Sequence, residues 1–193
     1  MIAVIKYNGG NVSSVQNALR QLNTDSVVTD DPELILRADK VIFPGVGEAS
    51  STMKNLKEKG LDSLIPYLKQ PVLGICLGMQ LMCADNEEGN NQGLGIFNIP
   101  VRRFPPKDLV PHMGWNSLSH LNSPLFSGIS GNSDVYFVHS YYCGLSEFTT
   151  ADCEYILPFS AALQKDNFYA VQFHPEKSGA VGRRILENFL TLS

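Results

Sequence analysis

The sequence predicts an α/β fold: a three-layer, doubly wound, mostly parallel sheet with helices on both faces and added antiparallel strands. Three observations predict it. The N-terminal half alternates short β-rich runs with segments of helical periodicity, as a parallel sheet with crossover helices requires. Residues 2–7 are β-rich and alternate little between apolar and polar, as a strand covered on both faces does. From about residue 93 the chain turns to short strands, many prolines and hairpin signals, which adds antiparallel pairing.

Taken in order, the first strand runs into Asn8-Gly9-Gly10-Asn11, a tight turn in which Asn11 is placed to cap a helix. Val12, Val15, Ala18, Leu19 and Leu22 recur at helical spacing behind it. Ser26–Thr29 reads as a second strand. Asp31-Pro32 then supplies a cap and first position for a short helix to about Ala38. Val41-Ile42-Phe43 is the third strand and enters Pro44-Gly45-Val46-Gly47. Residues 50–59 suit a helix stopped by Gly60, and Leu61, Leu64, Ile65 and Leu68 mark another that Pro66 disturbs.

Val72–Ile75 is a strand that ends at Cys76, and Leu77–Ala84 reads as the helix leaving it. Strands are expected near 135–139, 159–163 and 168–173, with Lys165-Asp166-Asn167 turning the last hairpin. A final helix presents Val181, Ile185, Leu186, Phe189 and Leu190 on one face.

A chain of 193 residues, 44% of them hydrophobic, buries one substantial core, so one domain over 1–193 is expected. The net charge of −4 offers no basic field for nucleic acid, and Arg102-Arg103 and Arg183-Arg184 read as solvated pairs. No apolar run approaches the ~20 residues of a membrane span. The apolar start is broken by Lys6 and lacks a cleavage site, which points to the cytoplasm. Cys76, Cys83, Cys143 and Cys153 show no metal-ligand spacing, and no disulfide framework is expected.

Gly74-Ile75-Cys76-Leu77-Gly78 has the form G-x-C-x-G between a strand and a helix, the thiol counterpart of a serine nucleophile elbow. A sharp turn strains the nucleophile, and glycines two positions away remove colliding β-carbons. The helix start favours thiolate over thiol, and the Leu77 amide points where an oxyanion forms. On these residues alone, a buried structural cysteine between packing glycines stays an alternative. Gln172-Phe173-His174-Pro175-Glu176 supplies a base. Proline keeps His174 extended, so alternation aims His174 and Glu176 the same way and the carboxylate can orient the imidazole.

Together these segments closely resemble the class I (triad) glutamine amidotransferases, in which such an elbow and a later H-P-E form a Cys-His-Glu triad on a flavodoxin-like α/β fold. The resemblance spans essentially the whole chain, and Pro44-Gly45-Val46-Gly47 matches the family's oxyanion segment. Residues 74–80, Pro111-His112-Met113-Gly114-Trp115-Asn116, residues 136–141 and residues 173–178 resemble the branch that serves histidine biosynthesis; the second is the most discriminating. Lys6-Tyr7-Asn8-Gly9-Gly10-Asn11 departs from the family's usual acidic first turn, and Ser140 stands where threonine is more usual.

The resemblance implies that Cys76 attacks glutamine, His174 acts as acid and base, and Glu176 orients His174. It implies oxyanion donors at Gly45, Val46 and Leu77, each commonly worth ~3–4 kcal/mol. The amino-acid part of glutamine would be held by Gly47, Gln80, Ser140 and Tyr141. The Gly45-Val46 peptide is expected to act as a switch coupled to the partner, since glycine turns cheaply. No cofactor and no metal is implied. The partner implied is a (β/α)8-barrel cyclase subunit, in a heterodimer, that receives ammonia; 193 residues leave no room for an ammonia-using domain.

Met113, Trp115 and Lys177 are then interface candidates, Trp115 as an anchor; Lys177 pairs with the partner or is simply solvated. His112 and His139 are placed near the site or in the core, His120 at the surface, and the Asn8–Asn11 turn near the docking face. Three other readings remain: a glutaminase for another synthase (aminodeoxychorismate, anthranilate or pyridoxal phosphate), a redox-sensing α/β module, and a cysteine peptidase of related fold.

Overall fold

The computed structural model describes residues 1–9 and 11–192. The first half contains β1 (Ile2–Ile5), α1 (Val12–Gln21), β2 (Ser26–Thr29), α2 (Pro32–Arg37), β3 (Lys40–Phe43), α3 (Ala49–Glu58), α4 (Leu61–Leu64), β4 (Val72–Ile75) and α5 (Leu77–Leu81). The second half is mostly strand: β5 (Cys83–Asn86), β6 (Asn91–Gln92), β7 (Phe97–Arg103), β8 (His112–Ser117), β9 (Asp134–His139), β10 (Tyr141–Cys143), β11 (Thr149–Tyr155), β12 (Leu157–Lys165) and β13 (Phe168–Val171), closed by α6 (Gly179–Thr191).

The main sheet has the order β11-β12-β13-β4-β3-β1-β2. From β13 to β2 all pairings are parallel, and β11 and β12 add the antiparallel edge. Strand alternation divides the core. Ala3, Ile5, Val41 and Phe43 face one cluster with Ile35, Met53, Leu56 and Leu61 from α2, α3 and α4. Ile2, Val4, Ile42 and Leu73 face another with Val15, Leu19, Ile185 and Phe189 from α1 and α6. This is the expected three-layer architecture. Two smaller sheets, β10-β7-β5-β6 and β8-β9, flank it. No helix among the described residues is long and apolar enough to cross a membrane.

Local chemistry explains most boundaries. Asp31 accepts the Glu33 N–H at 2.9 Å with Pro32 at the first helical position of α2. Gly60 ends the α3 segment with φ 68°, and Pro66 turns the next helix into a 3₁₀ turn at Ile65–Tyr67. Asn11 caps α1 by position, although its side chain accepts the Ser14 hydroxyl rather than a backbone N–H. Of the Asn8–Asn11 turn, Gly10 lies outside the described residues.

One helix is shorter than expected. The segment predicted as helix to Ala84 leaves α5 after Leu81. The carbonyls of Leu81, Met82, Cys83 and Ala84 accept from residues 93–97, and this cross-chain ladder replaces the helical one.

Candidate active site

The order β2-β1-β3-β4-β13 reverses at β1/β3, and in such sheets ligands bind beyond the carboxyl ends of the strands. The candidate residues leave those ends: Pro44 after β3, Cys76 after β4 and His174 beyond β13. Cys76 has φ 50° and ψ −104°, a strained conformation for a residue with a β-carbon, and its N–H is held by Val171 O at 2.8 Å. The neighbouring glycines show why that turn is possible. A β-carbon on Gly78 would lie 2.1 Å from Phe43 O, and one on Gly45 would lie 2.4 Å from the Leu77 nitrogen. The oxyanion segment and the elbow therefore touch backbone to backbone.

A cleft of about 300 Å³ opens above the elbow. Cys76, Leu77, Gly45, Val46 and Gly47 line it together with His174. Gln80, Ser140 and Tyr141 complete its wall. Glu176 lies behind His174, its side chain buried, with Oε1 2.8 Å from His174 Nδ1. The reason differs from the sequence argument. His174 is extended, but Glu176 sits in a 3₁₀ turn at Pro175–Lys177, so the turn and not strand alternation brings carboxylate to imidazole.

His174 Nε2 is buried without a conventional hydrogen-bond partner, and Cys76 is the neighbour it feels. Burial alone would make the imidazole less basic. The Cys76 interaction and then the Glu176 carboxylate outweigh burial and raise it to about 10. A protonated His174 and the Cys76 sulfur thus share one cleft, an arrangement suited to attack on a carbonyl.

Sequence comparison extends this geometry over the whole chain. The glutamine amidotransferase class-I family matches residues 3–192. The chain belongs to the class-I glutamine amidotransferases. It is 62% identical to the imidazole glycerol phosphate synthase subunit HisH of Bacteroides fragilis, over 99% of both chains. It is 58% identical to the protein of the same name in Bacteroides thetaiotaomicron, again over 99% of both. A solved glutamine amidotransferase superposes with a TM-score of 0.75 at 19% identity, covering 98% of this chain and 96% of the other. PurLQS from Thermotoga maritima gives 0.72 at 16%, with the same coverage. These last two share the fold.

Three residues of this amidotransferase's cleft region escaped the sequence reading. Glu88 lines the cleft, its Oε2 accepting the Ala49 N–H at 2.9 Å, and burial pushes its carboxyl up. Buried Gln172 donates from Nε2 to Cys76 Sγ at 3.6 Å, and it was visible only as the neighbour of the H-P-E motif. Tyr7 donates to Pro44 O at 2.7 Å, and burial pushes its phenol up. A β-carbon on Gly9 would lie 2.5 Å from Val46 O, so the divergent first turn packs directly on the oxyanion segment.

Both Gln80 N–H groups are committed inside the protein, to Tyr141 O and Gln172 Oε1, each at 3.0 Å. Its own carbonyl oxygen remains for a ligand. His112 and His139 form a buried pair, Nδ1 to Nε2 at 3.0 Å, and His139 Nδ1 meets Tyr141 O at 2.7 Å. His120 is exposed and meets Asp152 at 2.8 Å. Cys83, Cys143 and Cys153 are buried outside the cleft.

Met113 and Trp115 are 63% and 57% exposed on one face of β8, which pairs only with β9 in its sheet. Tyr136 on β9 sits 5.9 Å from Trp115, ring to ring, and Lys177 Nζ lies 6.0 Å from the Tyr136 ring. Arg102 pairs with Asp85, while Arg183 and Arg184 pair with Glu187 at the surface.

Proposed function

We propose that the chain is the glutaminase subunit of an imidazole glycerol phosphate synthase, with residues 1–193 acting as one domain in the cytoplasm. The observation that carries the chemistry is a strained Cys76 sharing a cleft with His174, whose Nδ1 is fixed by buried Glu176. The synthase assignment is supported by full-length similarity to subunits of that name.

Cys76 sulfur attacks the glutamine carboxamide carbon while His174 gives its proton to the departing ammonia. Water, deprotonated by His174, then adds to the thioester, and sulfur leaves with the bonding electrons. Glu176 keeps Nε2 of His174 directed at the reaction and stabilises its imidazolium. The Leu77 amide and the Gly45-Val46 peptide hold the tetrahedral oxyanion. Gly45 makes a turn of that peptide inexpensive, so the peptide can act as a switch coupled to the partner. The Glu88 carboxylate supplies negative charge for the substrate's α-ammonium. Gly47, Gln80, Ser140 and Tyr141 position the rest of the amino acid.

The ammonia passes to a cyclase subunit of (β/α)8 architecture in a heterodimer, which yields imidazole glycerol phosphate and aminoimidazole carboxamide ribotide. Met113 and Trp115 supply the apolar contact to that subunit and Lys177 a peripheral charge. The deciding experiment assembles Cys76→Ser with the cyclase. Synthesis from glutamine is expected to vanish, while synthesis from ammonium salt continues. Loss of both, or failure of the wild-type gene to restore growth of a histidine auxotroph lacking this subunit, rejects the assignment.

A further inference from the structure

The sequence places the Cys76 sulfur at a helix N-terminus, yet α5 has only five residues. A dipole that short supports an anion weakly. The sulfur also faces a carbonyl, Val138 O at 3.8 Å, to which a thiol can donate but which repels a thiolate. An anion there needs a donor besides His174, and Gln172 is the side chain that reaches it. Its Nε2 lies 3.6 Å from Sγ, and the side chain is wholly buried, so water does not dilute the contact.

Which end of a carboxamide faces a neighbour is decided by its partners. Here those partners leave one answer. Tyr141 O is a backbone carbonyl and only accepts, so Gln80 presents its NH2 to it. The same NH2 reaches Gln172 at 3.0 Å, so Gln172 must offer oxygen there. Its NH2 is then directed at sulfur. Turning Gln172 over would oppose two NH2 groups and aim an oxygen lone pair at the thiolate. The Tyr141 carbonyl also meets His139 Nδ1 at 2.7 Å. The chain Tyr141–Gln80–Gln172–Cys76 is thus fixed in direction from end to end.

We propose that Gln172 is a further catalytic residue, whose carboxamide N–H holds the Cys76 thiolate before attack and again as sulfur departs from the thioester. In the second step His174 takes water's proton, water's oxygen bonds to the acyl carbon, the S–C bond breaks, and sulfur keeps the electron pair, to which the Gln172 N–H donates a hydrogen bond. Gln80 is the positioning residue that keeps this donor turned toward sulfur. The proposal rests on Cys76 being the nucleophile.

Alkylation of Cys76 by iodoacetamide, followed by mass spectrometry across pH in the full-length chain, reads the thiolate without needing glutamine. It therefore stands apart from any failure of the glutaminase assignment. In Gln172→Met, which keeps length and removes the donor, the alkylation midpoint should move up by about one pH unit. Turnover in the assembled synthase should fall about tenfold with little change in KM for glutamine. Gln172→Asn, which keeps the amide but withdraws it from sulfur, should shift the midpoint in the same direction and carries the test if the methionine variant does not fold. A folded variant that loses thermal stability while its midpoint stays at the wild-type value overturns the proposal, because that is what a purely structural glutamine would do.

Discussion

Cys76 and Cys83 stand at the two ends of the same short helix, and their surroundings make opposite use of one side chain. Cys76 enters α5 with φ 50° and opens onto the cleft. Cys83 leaves it into β5, fully buried, with its sulfur 3.5 Å from Met79 O and 3.4 Å from Cys143 Sγ. Burial, then the neighbouring Cys143, pushes the Cys83 thiol well above the usual range. Histidines repeat the contrast. Burial depresses both His139, to about 3, and His112, to about 4. His174 is as deeply buried, yet Cys76 and Glu176 carry it to about 10. Reactivity here belongs to the backbone turn and the charges facing it, and the residue type is only the raw material.

The largest effect expected from this contrast is on turnover. Cys76→Ala should lower glutamine hydrolysis on the order of 10⁶-fold, the scale of losing a triad nucleophile. Cys143→Ala should leave turnover near wild type and cost about 1 kcal/mol of stability for its buried sulfur. A substantial turnover loss in Cys143→Ala would erase the distinction between the two regions. Next comes the backbone that permits the elbow. Gly78→Ala sets a β-carbon 2.1 Å from Phe43 O, and about 3 kcal/mol of destabilisation is expected in urea unfolding, because backbone on both sides cannot yield.

The smallest effect is on the pH dependence of stability, where the two histidine environments act with opposite sign. His112 and His139 are depressed below the ordinary 6.5, so the unfolded chain binds more protons there and stability falls as pH drops from 6.5 through about 4 toward 3. His174 is raised, so its contribution is complete below 6.5 and is lost as pH rises through about 10. Urea midpoints between pH 4 and 10 should show His112→Gln flattening the acid limb, while Cys76→Ala, which removes the main support of the raised imidazole, flattens the alkaline limb. If Cys76→Ala left the alkaline limb unchanged, the coupling of Cys76 to His174 would be refuted.

The parallel half was legible because its strands are short apolar runs separated by caps, prolines and glycines whose local chemistry survives folding. Asp31-Pro32 and Gly60 act as their sequence indicates. The end of α5 was not legible, since nothing within Leu77–Ala84 announces that residues 93–97 will claim its carbonyls. The same limit applies at the site. Cys76, His174 and Glu176 could be read from two motifs, although the alternation invoked for Glu176 gives way to a 3₁₀ turn. Glu88 and Tyr7 reach the site region through loops and long-range packing, and Gln172 has no pattern of its own in a strand-like run. Chemistry carried by local geometry shows in one sequence; chemistry assembled across the sheet does not.

Trp115 is the chain's only tryptophan, and it stands largely in solvent on β8. The protein therefore carries a single built-in optical reporter, and it is not among the residues that line the cleft. Its emission senses the polarity around one indole, uncomplicated by a second emitter of its kind. A macromolecule seated on that face dries the ring and moves the spectrum toward the blue, whereas a small electrophile lodged on Cys76 leaves the colour where it was. Occupancy of the β8 surface can thus be followed in one cuvette, without attaching a dye.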